Sequence, residues 1–349
     1  MAHTNASKIY NLVGAEAVLT EDANLRKYLT GFSSSFGYVL SDRSGSYLYT
    51  DSRYLEAAEN LLKGSEITVK KFTAPLENLL QSYKQIAAPL DRIGYRDYKK
   101  LQDAGFEIVD SSKAFTQAMS VKDDQEIANI EKACEITDKA FSQLLGEIKE
   151  GMTENEVAAL LEFLMRKGGA SGTSFDTIVG FGENSSVPHH ETGSRKLRFG
   201  DIILIDFGCK FNGYCSDCTR TFLFGDDKKH EDFKKAYSRV LKAHMLVKEQ
   251  LKSGMTGREA DAIARNYLKK YGLDELFTHS LGHGIGIDIH EFPSLSPKSE
   301  DMLVDGMVFS DEPGVYIAGK YGIRIEDTVM LGGGKVISLT DSDKKLIIL

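Results

Sequence analysis

The chain has 349 residues, 42% of them hydrophobic and 27% charged, and a formal net charge of −8. That length exceeds one ordinary core and predicts two globular domains, while the negative balance excludes binding of nucleic acid by bulk charge. The first thirty residues lack a basic-then-apolar signal pattern and no apolar run approaches spanning length, so a cytoplasmic protein without a membrane partner is expected.

Residues 1–118 alternate short strands and helices and form the first expected domain. Residues 17–19, 37–40 and 47–49 read as strands, and 52–63 and 74–87 as helices. A linker at 119–124 opens the second domain, residues 119–349. Beyond it, Ile127, Ile130, Cys134, Ala140, Phe141, Leu144 and Ile148 recur with helical spacing. Gly151-Met-Thr-Glu-Asn-Glu156 and Gly254-Met-Thr-Gly-Arg-Glu259 share the pattern Gly-Met-Thr-x-x-Glu. In each, the threonine is an expected N-cap and the second glutamate its reciprocal partner in a capping box. Each predicted helix is followed by a glycine-rich stretch and strands, so a duplicated helix-plus-strands unit is expected.

Asp201-Ile-Ile-Leu-Ile-Asp-Phe-Gly208 reads as a buried strand, a short apolar run opened by Gly-Asp and closed by Gly. The Asn212-Gly213 step then predicts a hairpin into a second strand over 214–224, because both turn residues accept positive φ. That turn sets Phe211 opposite Tyr214, Gly208 opposite Asp217 and Asp206 opposite Thr219. With period two, Asp206 and Asp217 share a face as diagonal neighbours roughly 7–8 Å apart. Two such carboxylates repel unless a cation neutralises them, and two metal ions roughly 3.5–4 Å apart fit between them. The competing reading is a pair of solvated acids on an exposed face, which the apolar strand leading to Asp206 disfavours.

Three further residues lie in marked settings downstream. His283 sits in Ser280-Leu-Gly-His-Gly-Ile-Gly286, where glycines permit close backbone approach. Glu312 ends a strand just before Pro313. Glu326 lies in an alternating strand over 322–329, sharing a face with Arg324 while Ile323 and Ile325 take the other. Singly, these are a core histidine, a turn glutamate and an exposed strand charge. The ordered set of five points to a two-metal hydrolytic centre. Cys215-Ser-Asp-Cys218 mimics a metal knuckle, but a flat strand turns the two thiols to opposite faces, so buried reduced cysteines are expected. Cys215 falls on the face of Asp217, close to the proposed site.

Pro188-His189, Asp206-Phe-Gly, Gly213-Tyr-Cys-Ser-Asp-Cys-Thr-Arg-Thr221, His279-Ser-Leu-Gly-His-Gly-Ile-Gly, Ile289-His-Glu-Phe-Pro293, Glu312-Pro-Gly and Arg324-Ile-Glu-Asp occur in this order. From residue 118 onward the chain closely resembles the M24 metallopeptidases, the pita-bread family of methionine aminopeptidase, aminopeptidase P and prolidase. Residues 24–45 and Tyr49-Thr-Asp-Ser-Arg-Tyr54 resemble the N-terminal domain of aminopeptidase P, prolidase and creatinase. Methionine aminopeptidases generally lack that domain. The resemblance implies an α+β protein, with a pita-bread catalytic domain of pseudo-two-fold symmetry behind a smaller α/β creatinase-like domain. It implies Asp217 as bidentate ligand of one metal, Asp206 and Glu326 as bridging carboxylates, and His283 with Glu312 completing the other metal.

Four carboxylates and one imidazole make a hard, oxygen-rich site for two divalent ions, Mn²⁺ or Co²⁺ ahead of Zn²⁺ or Fe²⁺. Such ions activate water for attack on a carbonyl, and the reaction then needs an oxyanion donor and a proton for the leaving amine. His189, His279 and His290 are the candidates, against the plainer reading of structural hydrogen-bonding histidines. The resemblance places His189 and His290 around the scissile bond. His190 is expected to face away and receives no role. Arg324 is expected to pair with a site carboxylate or steer substrate, with a surface salt bridge as the alternative. The implied partners are short peptides with proline in second position and a second copy of the chain in a homodimer. Prolidases often carry Arg after His-Glu-x-Pro, where this chain has Ser294, so the reading is an aminopeptidase P activity, with Xaa-Pro dipeptidase as the alternative. A pita-bread protein acting as a non-catalytic peptide-binding module is the third reading.

Overall fold

A computed structural model of the chain describes residues 4–226 and 230–349. The chain divides into two compact units, Met1–Met119 and Ser120–Leu349.

The first unit runs α1 (Ala6–Leu12), β1 (Ala17–Thr20), α2 (Ala23–Thr30), β2 (Tyr38–Asp42), β3 (Gly45–Thr50), α3 (Leu55–Leu62), β4 (Ile67–Lys71), α4 (Leu76–Leu79), β5 (Gln85–Ala88), α5 (Tyr95–Asp103), β6 (Glu107–Asp110) and α6 (Ser112–Ser120). Its six strands form one mixed sheet in the order β4-β3-β2-β1-β5-β6. The three expected strands are present. The helix expected over 74–87 is not: α4 makes a single turn, and Gln85–Ala88 is a strand parallel to both β1 and β6. Ile86, Ala87 and Ala88 are fully buried there. Burial between two neighbours outweighs the small helical preference of alanine.

The second unit begins with α7 (Asp124–Leu145), opened by an Asp123–Glu126 capping box. Its first half continues with α8 (Glu154–Lys167), β7 (Gly172–Thr173), β8 (Ile178–Phe181), β9 (Asp201–Phe207), β10 (Cys209–Phe211), β11 (Tyr214–Cys215) and β12 (Cys218–Phe224). The second half holds α9 (Glu231–Gln250), α10 (Gly257–Lys269), β13 (Gly282–Gly284), β14 (Glu291–Leu295), β15 (Val308–Asp311), β16 (Gly314–Ile317), β17 (Tyr321–Arg324), β18 (Asp327–Gly332) and β19 (Lys335–Ser338).

The duplication is visible in the hydrogen bonds. Thr153 and Thr256 both close capping boxes, with Glu156 and Glu259. The Gly151 N–H donates to Leu197 O and the Gly254 N–H to Leu303 O; the Glu154 N–H donates to Arg195 O and the Gly257 N–H to Asp301 O. Each half also has its own apolar core. Phe141, Leu144, Val157 and Leu161 pack with Ile203, Ile205, Phe207 and Phe222 in the first. Val240, Val247, Ala260 and Ala264 pack with Phe309, Ile323, Ile325 and Val329 in the second.

The predicted hairpin register is observed, with Phe211 paired to Tyr214 and Asp206 to Thr219. Asn212 and Gly213 have φ of 50° and 92°, as that turn requires. The second hairpin strand breaks at Ser216-Asp217, between β11 and β12. The strand expected over 322–329 breaks too, at Ile325-Glu326: β17 pairs with β16, while β18 pairs with β15 and β19. Among the described residues no helix is long and apolar enough to cross a membrane.

Candidate metal centre

Asp206 lies near the end of β9, where its Oδ2 accepts from Arg324 Nη2 at 2.5 Å. Asp217 occupies the break between β11 and β12, and Thr328 clamps its backbone. The Asp217 N–H donates to Thr328 Oγ1 at 2.9 Å, and that hydroxyl donates to Asp217 O at 2.8 Å. Glu326 occupies the other break, where Thr219 Oγ1 donates to its Oε2 at 2.5 Å. His283 rides on β13 between two glycines pressed against backbone: a Cβ on Gly282 would lie 1.9 Å from Ser310 O, and one on Gly284 2.2 Å from Phe292 O. Ser310 Oγ accepts from the His283 N–H and donates to Glu312 Oε1, each at 3.0 Å.

These elements bring the four acids and the imidazole together. His283 Nε2 lies 3.5 Å from both Asp217 Oδ2 and Glu312 Oε1. Asp217, His283 and Glu326 each offer a donor atom within 4.8 Å of the others. All nine side chains singled out in the sequence, with His189, His279, His290 and Arg324, line one cavity of about 410 Å³. Its apolar walls are Phe175, Ile178, Pro188 and Ile289.

The charge in this cavity is unbalanced. Burial, then repulsion from Glu326, Asp206 and Glu312, holds the Asp217 carboxyl well above the usual range. Burial, then Glu312 and Asp206, does the same to Glu326, and burial pushes Glu312 up to about 8. Among the described residues, Asp206 Oδ1 is buried and has no hydrogen-bond partner. Burial beside His290 pushes His283 down to about 4, leaving a neutral imidazole with a lone pair to offer. Crowded carboxylates, an orphaned carboxylate oxygen and a neutral imidazole form a donor set that fits divalent cations.

Comparison with known proteins agrees. Residues 128–332 match the model of metallopeptidase family M24, and residues 8–121 match the creatinase/prolidase N-terminal domain. The chain belongs to the M24 metallopeptidase family. It is 36% identical to an Xaa-Pro dipeptidase of Pyrococcus furiosus over 89% of each chain. It superposes on an X-Pro aminopeptidase structure from Thermotoga maritima with a TM-score of 0.91, at 34% identity and over 98% and 99% of the two chains. An Xaa-Pro dipeptidase structure from Bacillus anthracis gives 0.92, at 34% identity and over 99% of each. This M24 chain is therefore a hydrolase of the metallopeptidase class, with a creatinase-type domain followed in the chain by an α+β pita-bread catalytic domain.

The remaining predicted residues of the M24 site divide by environment. His290 stacks obliquely beside His283, ring centroids 4.1 Å apart, and burial lowers its pKa. His279 lies in a loop and is tightly engaged. Its Nδ1 is 2.8 Å from Ser280 O, so that nitrogen donates, and its Nε2 accepts from Tyr316 Oη at 2.9 Å. Burial beside Arg324 pushes it down to about 3. Arg324 is 3% exposed, which excludes a surface salt bridge, and its Nη1 donates to Tyr316 Oη at 2.7 Å. The four cysteines are free and buried; Cys215 Sγ donates to Ile287 O at 3.5 Å, and Cys215 is not among the residues that line the cavity. Thr219, Ser310, Tyr316 and Thr328 were missed in the sequence. Only Thr219 had a signal there, as the hairpin partner of Asp206. Ser310 meets Glu312 and Tyr316 meets Arg324 nearby in the chain, but the contacts of Ser310 with His283, Tyr316 with His279 and Thr328 with Asp217 join distant segments.

Proposed function

We propose that this M24 chain cleaves the peptide bond before a proline in second position, with Xaa-Pro dipeptides as its preferred substrates. The observation that carries the reading is the convergence of Asp206, Asp217, His283, Glu312 and Glu326 on one cavity that also holds His290 and Arg324. Those five side chains would hold two divalent metal ions, which when bound supply Lewis-acid activation of water and of the scissile carbonyl. Arg324 keeps the Asp206 carboxylate oriented. His290, neutral at pH 7 and partly open to the cavity, holds or donates a proton near the scissile bond, and His189 faces the same space. His279 fixes Tyr316, whose hydroxyl in turn accepts from Arg324. Proline fixes φ and removes the N–H of the scissile amide, so the substrate is a rigid tertiary amide that general peptidases handle poorly. Phe175, Ile178 and Ile289 offer apolar walls for its ring.

The relatives named as dipeptidases support the dipeptide over longer peptides, reversing the order in which the sequence alone ranks the two. Ser294 supports the aminopeptidase instead: it lines the cavity at the position where prolidases often carry arginine. A panel of Xaa-Pro dipeptides, Xaa-Pro-Xaa tripeptides, their C-terminal amides and Met-Ala-Xaa peptides decides, run on protein loaded with Mn²⁺ or Co²⁺. Hydrolysis of no Xaa-Pro peptide refutes the reading; a tenfold preference for tripeptides makes the chain an aminopeptidase. Sedimentation tests the homodimer that the family resemblance implies.

A further inference from the structure

Glu154 opens α8 directly after the capping threonine, a position where glutamate ordinarily meets water, yet its side chain is fully buried. Its Oε1 accepts from the Phe181 N–H at 2.9 Å and from Asn184 Nδ2 at 2.8 Å. Its Oε2 accepts from the Gly193 N–H at 3.1 Å and lies 3.0 Å from His190 Nε2. A carboxylate only accepts, so the ring nitrogen donates in that contact. Every donor belongs to the segment 181–193, which carries His189 into the cavity. Pro188 is held as well, its carbonyl accepting from Arg324 Nη1 at 3.4 Å. His189 thus stands between two anchored neighbours.

The second half of the unit offers a contrast at the same place. Gly257 occupies the position of Glu154, and a Cβ there would lie 2.0 Å from Ser294 O. Ser294 follows closely on His290. Both helix openings therefore abut a segment that carries a cavity histidine, but the first does so through a buried side chain and the second through a bare glycine.

We propose that Glu154 and its partner His190 are positioning residues that set His189 in the cavity; this rests on the peptidase reading above. Glu154→Gln tests it almost isosterically. One backbone N–H points at each carboxylate oxygen, and backbone donors cannot flip as Asn184 or switch tautomer as His190. Either orientation of the amide therefore sets its NH₂ against a backbone N–H, leaving that donor buried and unmet.

The experiment is a double-mutant cycle in metal-loaded protein, with Glu154→Gln, His189→Ala and both together. Expected is a loss in kcat of about 10–100-fold for Glu154→Gln, the range for groups that orient site residues, with metal content kept. In the His189→Ala background the same change should cost less than about twofold, because the residue it positions is gone. An equal loss in both backgrounds, or a folded Glu154→Gln protein within twofold of wild-type kcat, overturns the proposal. If Glu154→Gln does not fold, His190→Ala, which deletes one of the four donors, is read in the same cycle. Should wild-type protein hydrolyse no Xaa-Pro peptide, the peptidase reading fails, and ¹⁵N-histidine spectra decide positioning separately. Glu154→Gln, or His190→Ala in its place, must move the His189 signal, assigned by its loss in His189→Ala, and leave that of His230; an unmoved His189 signal overturns it.

Discussion

The first half of the catalytic unit fills the space beneath its sheet with aromatic carbon, and the second half fills the matching space with charge. Phe141 on α7 stacks on Phe207 at 5.4 Å and meets Phe222 edge-on at 5.9 Å. The spacing that relates Thr153 to Thr256 also relates Phe141 to His244 on α9. His244 is fully buried, with Nδ1 3.0 Å from Asp311 Oδ2 and Nε2 3.3 Å from Asp327 Oδ2. Arg220, Lys344 and Lys248 also pair with Asp327, at 2.8, 3.0 and 3.9 Å. Asp311 immediately precedes Glu312, Asp327 immediately follows Glu326, and the two aspartates pair across β15 and β18. A duplicated scaffold has thus kept its helices and capping boxes while one core position became an ionic clasp under two site glutamates. An aromatic cluster tolerates small shifts, because dispersion is non-directional. A buried ion pair adds little net stability but penalises the loss of either partner heavily, so it holds a geometry.

The largest effect should come from removing one metal-site acid from each half. Asp217→Ala and Glu326→Ala are each expected to abolish hydrolysis while circular dichroism stays that of the wild type. Turnover within about tenfold of wild type in metal-replete buffer would contradict a shared centre, since general acid–base groups alone account for about 10²–10⁴.

Next comes the clasp. Burial pulls the His244 pKa down, but the facing Asp311 and Asp327 more than offset it and hold it at about 9. A histidine raised in the folded state contributes stability that is whole below its ordinary value near 6.5 and is lost as pH rises through about 9. His244→Gln should therefore cost about 3–5 kcal/mol at pH 6.5, and the gap to wild type should narrow towards pH 10. Urea denaturation across that range measures it, and a gap independent of pH would remove the ionic half of the comparison.

His290→Ala, in the second half, should lower turnover by about 10²-fold while metal content stays within twofold. Loss of metal at an unchanged rate per bound metal would make His290 a ligand instead. The smallest effects test the symmetry itself. Thr153→Ala and Thr256→Ala each remove a capping box, and each should cost about 1 kcal/mol. Unequal costs would mean that the two helix openings are not equivalent in energy, however alike their hydrogen bonds.

What could be read from the chain alone was whatever its own neighbours enforce. Asn212 and Gly213 set the hairpin register because positive φ is a property of those two residues, and the register in turn put Asp206 and Asp217 on one face. Thr153 with Glu156, and Thr256 with Glu259, announced two helix starts because a capping box closes within three residues. The ordered motifs from Pro188 to Glu326 carried the family. Tertiary structure decided the rest. Residues 85–88 became a strand because β1 and β6 cover both their sides, which no local preference of alanine reveals. The chain breaks at Asp217 and Glu326 because it passes there from one sheet pairing to another, freeing both carboxylates from regular alternation. Glu154 with His190, Ser310 with Glu312 and His283, and Thr328 with Asp217 each join different elements of the fold. Turn and cap geometry act over a few bonds and are written locally, whereas buried charge is satisfied only by groups that the fold brings together.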